Sequence, residues 1–376
     1  MGFRVEPGAI DGFSKLVGRA ADGSTQAVSY TGNAQIDTVA GGQLWDLVAG
    51  DHDKYVNDAK GALQKVQKVL DSSQQELAKS AKYYRETDSG VAAKMDATYP
   101  GSKGAGGQPD GGDAQDFSDA SNATDLLKKA GESDNPLVKY GQGHADEYMM
   151  SPVQKALGSV LDLGSPSAMA VEASKLLFGF DPFGEVNNWI FGDWNKYNDC
   201  ADVWDGLGGF CDAVAANLKK GNGNVGLSWA GNASDAARVY FEEFAGKLAE
   251  IKETFESLRT CYKQAAQMAF QFGEFLKSFM VMFCDALVIW LVNLAAAQAA
   301  NLIPVGGQVA SVAMFALAAA QAIRIMAMWA EASKAFDAMA TALSAIALTM
   351  STAVNGFSAA DGFPEVSSGG YDHRAV

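Results

Sequence analysis

This sequence is poor in the residues that chemistry needs. Among 376 residues there are three histidines, His52, His144 and His373, too scattered to suggest a histidine-based metal or catalytic site. The four cysteines, Cys200, Cys211, Cys261 and Cys284, form no C-x-x-C pair, which removes a zinc ribbon and a dithiol redox motif. There is no phosphate-cradling glycine loop, no nucleophile elbow, no H-E-x-x-H pair and no defensible pair of catalytic carboxylates. No catalytic, cofactor-binding or metal-binding residue is therefore nominated, and the chain is expected not to be an enzyme. Positive charge is short as well. A net charge of -15 argues against nucleic acid or an anionic membrane surface as the main partner. Prolines number only 9 against 48% hydrophobic residues, which favours helix. The N-terminal MGFRVEPGAIDGFSKL lacks a basic segment followed by a long apolar run. The expectation is a protein that stays inside the cell or leaves by a route reading another signal.

What is present is helical periodicity. A first pattern covers residues 7–40, with Pro7 near its start and Ile10, Phe13, Val17 and Ala20 on one face. Gly41-Gly42 and Gly50 bracket a turn holding Leu44, Trp45 and Leu47. From about Asp51 a second helix carries Val56, Ala59, Leu63, Val66, Leu70, Ser73, Leu77 and Tyr84, spaced mostly by three and four. Residues 1–99 thus form a two-helix hairpin, a single layer that must bury its stripe against something else.

Gly101–Asp116 has a linker composition, and 100–184 is expected to hold this flexible segment and short helices near Asn122–Ala130, Pro152–Leu163 and Ser167–Phe178. A second hairpin spans 185–283. Its first helix runs from about Glu185 to Lys220, where Gly206, Gly208 and Gly209 either weaken it or admit a close neighbour. Its turn is GLSWAGNASDAA, Gly226–Ala237, with Gly231 supplying positive φ and Asn232 expected as the helix N-cap. The helix beyond has the strongest periodicity in the chain, from Phe241 through Phe255 and Tyr262 to Phe279, on the order of 57 Å long.

Composition then changes. Residues 284–356 comprise an apolar hairpin and a more amphipathic helix, and 357–376 is expected to be a disordered tail. Ala286–Ile303 and Val305–Ile323 carry no charge and flank a turn at Pro304, each leg roughly 27–29 Å long against a ~30 Å bilayer core. Two readings remain: a buried core or oligomer interface, favoured by Asn293, Gln298, Asn301, Gln308 and Gln321, or a hairpin able to enter a membrane. Asp285 and Arg324 are equidistant from the Pro304 turn and are expected to pair at the open end. Cys200 and Cys261 are likewise equidistant from the Trp229 turn. In an oxidising space they are the best candidates for a disulfide, whereas Cys200 and Cys211 lie about 16 Å apart along one helix.

Two small motifs are split between the hairpins. Tyr84 shares the phase of Leu63, Leu70 and Leu77, and Asp88 is one turn on, so both are expected on one face at the exit of the first hairpin. Trp229 and Gly231 mark the turn of the second. The first turn has Trp45-Asp46-Leu47 without the glycine, and in the second hairpin Tyr240 and Tyr262 lead to Phe244 and Ala266 rather than to an acid. If the hairpins pack on each other, Tyr84 and Asp88 should lie beside Trp229 and Gly231, with Tyr84 and Trp229 within about 10–15 Å.

These motifs resemble the WXG family of proteins exported by type VII (ESX) secretion. The Tyr84…Asp88 pattern after a hairpin is similar to the type VII export signal, and residues 1–99 resemble the EspC-type secretion-target domain. The split of motifs resembles the PE and PPE partners, and the single-chain arrangement resembles EspB. The apolar hairpin resembles that of the longer EspA and EspE kind. The resemblance covers 5–99 and about 185–330. It departs in the missing glycine after Trp45, the long insert at 100–184 and the lack of a following toxin domain. It implies an all-α elongated bundle of two helical hairpins with a C-terminal apolar hairpin. It further implies an actinobacterial or related Gram-positive source and a secreted or cell-envelope location without a conventional signal peptide. The expected function is a non-enzymatic secretion substrate, structural component, or effector in virulence or bacterial competition. Expected partners are the secretion ATPase and machinery, a chaperone or helical-hairpin partner, a second copy of the chain, and a membrane. Two alternatives stay open: a membrane-active protein whose hairpin 285–324 anchors or forms a pore after export, and the carrier or remnant of a secreted toxin.

Overall fold

The computed structural model describes residues 3–38, 41–98, 115–127, 166–302 and 307–363. Strand β1 (Arg4–Val5) leads into α1 (Pro7–Tyr30), a short α2 (Gln43–Ala49), α3 (His52–Glu86) and α4 (Ser89–Asp96). After a 3-10 turn at Ala123–Leu126 come α5 (Pro166–Phe178), α6 (Pro182–Ile190), α7 (Trp194–Gly226), β2 (Trp229–Ala230), α8 (Asn232–Asn301) and α9 (Gly307–Ala353). A 3-10 segment, Val354–Gly362, follows. The fold is all-α and elongated; the β1–β2 pair involves two residues of each strand. Most of the glycine-rich linker, the helix expected near Pro152–Leu163, the Pro304 turn and the tail beyond 363 lie outside the described residues.

The length of the molecule comes from α8, whose 70 residues extend about 105 Å. A strict seven-residue seam runs along it. Phe241, Leu248, Phe255, Tyr262, Ala269, Leu276, Phe283, Trp290 and Ala297 are all buried, as is a second row from Phe244 to Ala286. The seam crosses the change of composition at 284 unchanged, so the helix does too. The first part of α8 pairs with α7, with Tyr197 stacked on Tyr262 at 4.3 Å and Trp204 on Phe255 at 6.1 Å. The later part pairs with α9.

The first hairpin, α1 against α3, buries its stripe on the second. Phe13 meets Phe241 edge-on at 4.8 Å, and the Ser73 and Tyr240 hydroxyls are 3.2 Å apart. Helix α7 can come this close to α1 because a side chain at Gly221 would overlap Phe13 and Leu16. Gly206 acts the same way, admitting the backbone carbonyl of Leu126 from the 3-10 turn.

Several expectations are corrected. The helix expected over Glu185–Lys220 is two helices, α6 and α7, broken where Gly192 takes φ +155° and Asp193 accepts the Lys196 N–H as a new N-cap. Residues 357–363 are not a disordered tail: Phe357, Ala360 and Phe363, three apart on one side of a 3-10 turn, are buried. Phe357 meets Phe255 at 4.9 Å, Phe363 meets Phe244 at 4.7 Å, and Asp361 pairs with Lys65 of α3. Cys200 and Cys261 form no disulfide; all four cysteines are free thiols, and Cys200 Sγ donates to the Ala34 carbonyl at 3.1 Å. Asp285 and Arg324 form no ion pair, and both are exposed. At about 100° per residue, Asp285 falls opposite the seam positions Phe283 and Leu287, while Arg324 lies a quarter turn or more from Ile325 and Ala318. Equal distance from a turn fixes height along a hairpin but not which way a side chain points.

Candidate functional site

At one pole of the bundle the end of the first hairpin meets the turn of the second. The turn follows from local chemistry. Helix α7 ends at Gly226, Ser228 donates its N–H to Val225 O, and Trp229-Ala230 straightens into β2. Strand β1 pairs with it antiparallel, Val5 opposite Trp229, and Glu6 N–H donates to Ser228 O at 3.0 Å. The Trp229 indole is thereby turned inward and is 1% exposed.

Tyr84 reaches this indole from the last turn of α3. The two rings sit edge-to-face with centroids 6.1 Å apart, and Phe3 and Tyr83 pack on Tyr84 at 6.0 and 5.4 Å. An aromatic pair of this geometry contributes about 0.5–1.5 kcal/mol beyond its buried area. Tyr84 is buried rather than displayed, at 6% exposure. The structure thus brings the split motifs together, well inside the 10–15 Å reach expected for a composite surface.

Asp88 does not continue the α3 face. The helix stops at Glu86, Thr87 is extended, and Asp88 is the N-cap of α4, its Oδ1 accepting the Gly90 N–H at 2.8 Å. Its carboxylate is exposed, as are Val91 and Met95 three and seven residues on. Those three residues line one outward face of a short helix.

Helix α4 also delivers a residue that sequence reasoning missed. Asp96 accepts the N–H groups of Asn232 and Ala233, both at 3.0 Å, and its carbonyl takes a bond from Asn232 Nδ2 at 3.2 Å. It therefore caps the positive end of α8 from 136 residues away. The N-cap position belongs to Gly231 rather than Asn232, and Gly231 offers no side chain. Its φ of +145° suits glycine, and a Cβ there would lie 2.7–2.9 Å from the Asp96 carboxyl group. Tyr84, Asp88, Asp96, Trp229 and Gly231 form one connected unit. Asp88 starts α4, α4 positions Asp96, and Asp96 occupies the space that Gly231 leaves. No local signal in the sequence marks Asp96; the only hint is an unspent carboxylate at the end of a short helix.

Among the described residues, no cluster of three or more His, Cys, Asp or Glu side chains is placed to hold a metal ion. The buried His52 is engaged elsewhere. Its Nε2–H donates to Ala34 O at 2.6 Å, so Nδ1 accepts from the Tyr262 hydroxyl at 2.5 Å. Burial holds its pKa below the usual 6.5, against an opposing hydrogen bond to Ala34. No protein-family model, curated protein or solved structure matches this chain.

Proposed function

We propose that this chain is an exported, non-enzymatic substrate or structural component of a type VII secretion system, and that the Tyr84–Trp229 pole is what the secretion machinery reads. The observation that carries the reading is the 6.1 Å contact between these two rings, which joins an export-signal-like helix end to a Trp-x-Gly turn in one chain. Each hairpin covers the stripe of the other, so the pairing that PE and PPE proteins make between chains is made here within one. The roles then divide by exposure. Tyr84, Asp96, Trp229 and Gly231 build the pole from inside, while Asp88, Val91 and Met95 are the atoms an ATPase or chaperone would touch.

Secretion from an ESX-competent actinobacterial host tests this. Asp88→Asn keeps an N-cap acceptor of equal quality and removes only the charge. It should accumulate in cells with an unchanged circular dichroism spectrum and be missing from culture filtrate. Tyr84→Ala should also stay inside, with lowered stability. Wild-type secretion of both variants would overturn the proposal.

A further inference from the structure

At the end of α8 farthest from this pole, α8 packs against α9. Phe178 and Phe183 still cover Phe283, and Trp189 still covers Trp329. Beyond these, no hydrogen bond, ion pair or ring contact among the described residues joins 291–302 or 308–323 to anything outside the α8–α9 hairpin. The buried positions there are few and small: Ala297 on α8, Ser311 and Ala318 on α9. Small residues at a helix seam are what close packing in lipid uses. The outward positions are apolar: Val292, Val309, Val312, Phe315, Leu317 and Ile323 are all exposed. In the most apolar 18-residue window of α8 only 33% of residues are buried, and in that of α9 with its 3-10 extension only 17%. A soluble core would bury them.

We propose that the apolar ends of α8 and α9, 286–301 and 307–323, insert into the hydrocarbon of a lipid bilayer as a pair of helices that spans it. This stands apart from the export reading. Three features favour lipid over a second copy of the chain. The outward apolar arc of α9 is wide, on the order of 200° from Phe315 round to Leu317, whereas a partner helix needs a narrower stripe. The charge-free helical legs, 286–301 and 307–323, are roughly 24–26 Å long, within a few ångström of the ~30 Å hydrocarbon core. The exposed polar groups lie toward the ends of the legs, while Asn293 and Gln321 are half-buried rather than fully exposed. Asp285 and Arg324 bound the two legs at the base, and Gln298, Asn301 and Gln308 are exposed near the tip, at the level of the far headgroups.

The test is flotation of the full-length protein with egg phosphatidylcholine vesicles, a neutral lipid chosen because the chain carries a net charge of -15. The comparison is the double variant Val292→Lys, Leu317→Lys. Both positions are exposed, so its circular dichroism and unfolding should match wild type. Near the bilayer centre each lysine should lower partitioning about 100-fold. Wild type should float and the variant should stay in the lipid-free fraction. Failure of wild type to float, or equal flotation of both, would overturn the proposal. A wild-type dimer in lipid-free solution that the lysines convert to monomer, with no flotation, would overturn it too and assign the face to a second copy.

Discussion

The buried imidazole of His52 makes the stability of this bundle depend on pH in a defined direction. The ring sits where both hairpins meet, at the start of α3, bonded to Ala34 O and to the hydroxyl of Tyr262, which itself stacks on Tyr197. Both ring nitrogens are satisfied only in the neutral form, with the proton on Nε2. Adding a second proton would put a charge in a site without solvent and force the Tyr262 hydroxyl to reverse. The folded pKa therefore lies below the 6.5 of an exposed histidine. Above 6.5 neither state holds the extra proton and His52 adds no pH dependence. Below it the unfolded chain binds a proton that the folded chain refuses, so stability falls as pH falls, by at most about 1.4 kcal/mol per pH unit, until the folded pKa is reached. Between about pH 7 and about pH 5 the loss attributable to this ring is up to about 2 kcal/mol. Carboxylates add their own losses, so the variant His52→Gln supplies the reference. Its amide can donate to Ala34 and accept from Tyr262 but does not titrate. Urea unfolding followed by circular dichroism at both pH values should give a larger drop for wild type than for His52→Gln, the difference not exceeding the figure above. Identical drops would refute a buried neutral imidazole.

Two other outcomes are expected. Gly231→Ala should cost on the order of 3 kcal/mol, combining backbone strain with loss of the Asp96 cap, while Asp96→Ala alone should cost about 1–2 kcal/mol; because the first change already expels the carboxylate, the double variant should lose less than the sum, and strict additivity in unfolding experiments would show that the two do not meet. Native protein treated with iodoacetamide should label Cys284 first, since it is partly exposed, while Cys200, Cys211 and Cys261 are buried and burial pushes the Cys211 thiol up to about 12; rapid labelling of all four by intact mass would show that the bundle opens more readily than its packing implies.

Periodicity carries most of what the sequence made legible. The stripes of α1 and α3, the hairpin around Trp229 and the two apolar legs all follow from residues three, four and seven apart, because burial of one helical face is a local pattern; the stretch around Trp45, expected as a turn, is instead the short helix α2. The break between α6 and α7 was also written locally, as Gly192-Asp193 ahead of Trp194, and only the strength of the surrounding helical pattern hides it. Direction around a helix was less legible. Asp285 and Arg324 share a level and face apart, and Cys200 prefers a carbonyl to a thiol partner, because equal distance from a turn says nothing of azimuth. Least legible was anything made by two residues on each side, such as the β1–β2 pair, or by one residue acting across the chain, such as Asp96.

That last case also explains why the two turns differ. A tryptophan packed at a helical turn needs the adjoining backbone to come close, and glycine provides the room. At the second turn the glycine follows the tryptophan in sequence, because the group that must approach, the Asp96 carboxylate, arrives beside residue 231. At the first turn Trp45 has no glycine after it. Its space comes instead from Gly41, where a Cβ would overlap the indole, and from Gly192 of the other hairpin, where a Cβ would lie 2.5 Å from the ring. The Phe191 carbonyl next to that glycine accepts the Gly42 N–H at 2.7 Å, and Trp194 packs edge-on against Trp45 at 5.2 Å. The two sites therefore use glycine differently: Gly231 makes room for a carboxylate, Gly41 and Gly192 for the Trp45 indole. At both, a tryptophan of one hairpin is locked by residues of the other: Trp229 by Tyr84 beside the Asp96 cap, Trp45 by Gly192 and Trp194. Such reciprocal locking requires both hairpins to be present and packed, so the pole assembles only when the bundle does.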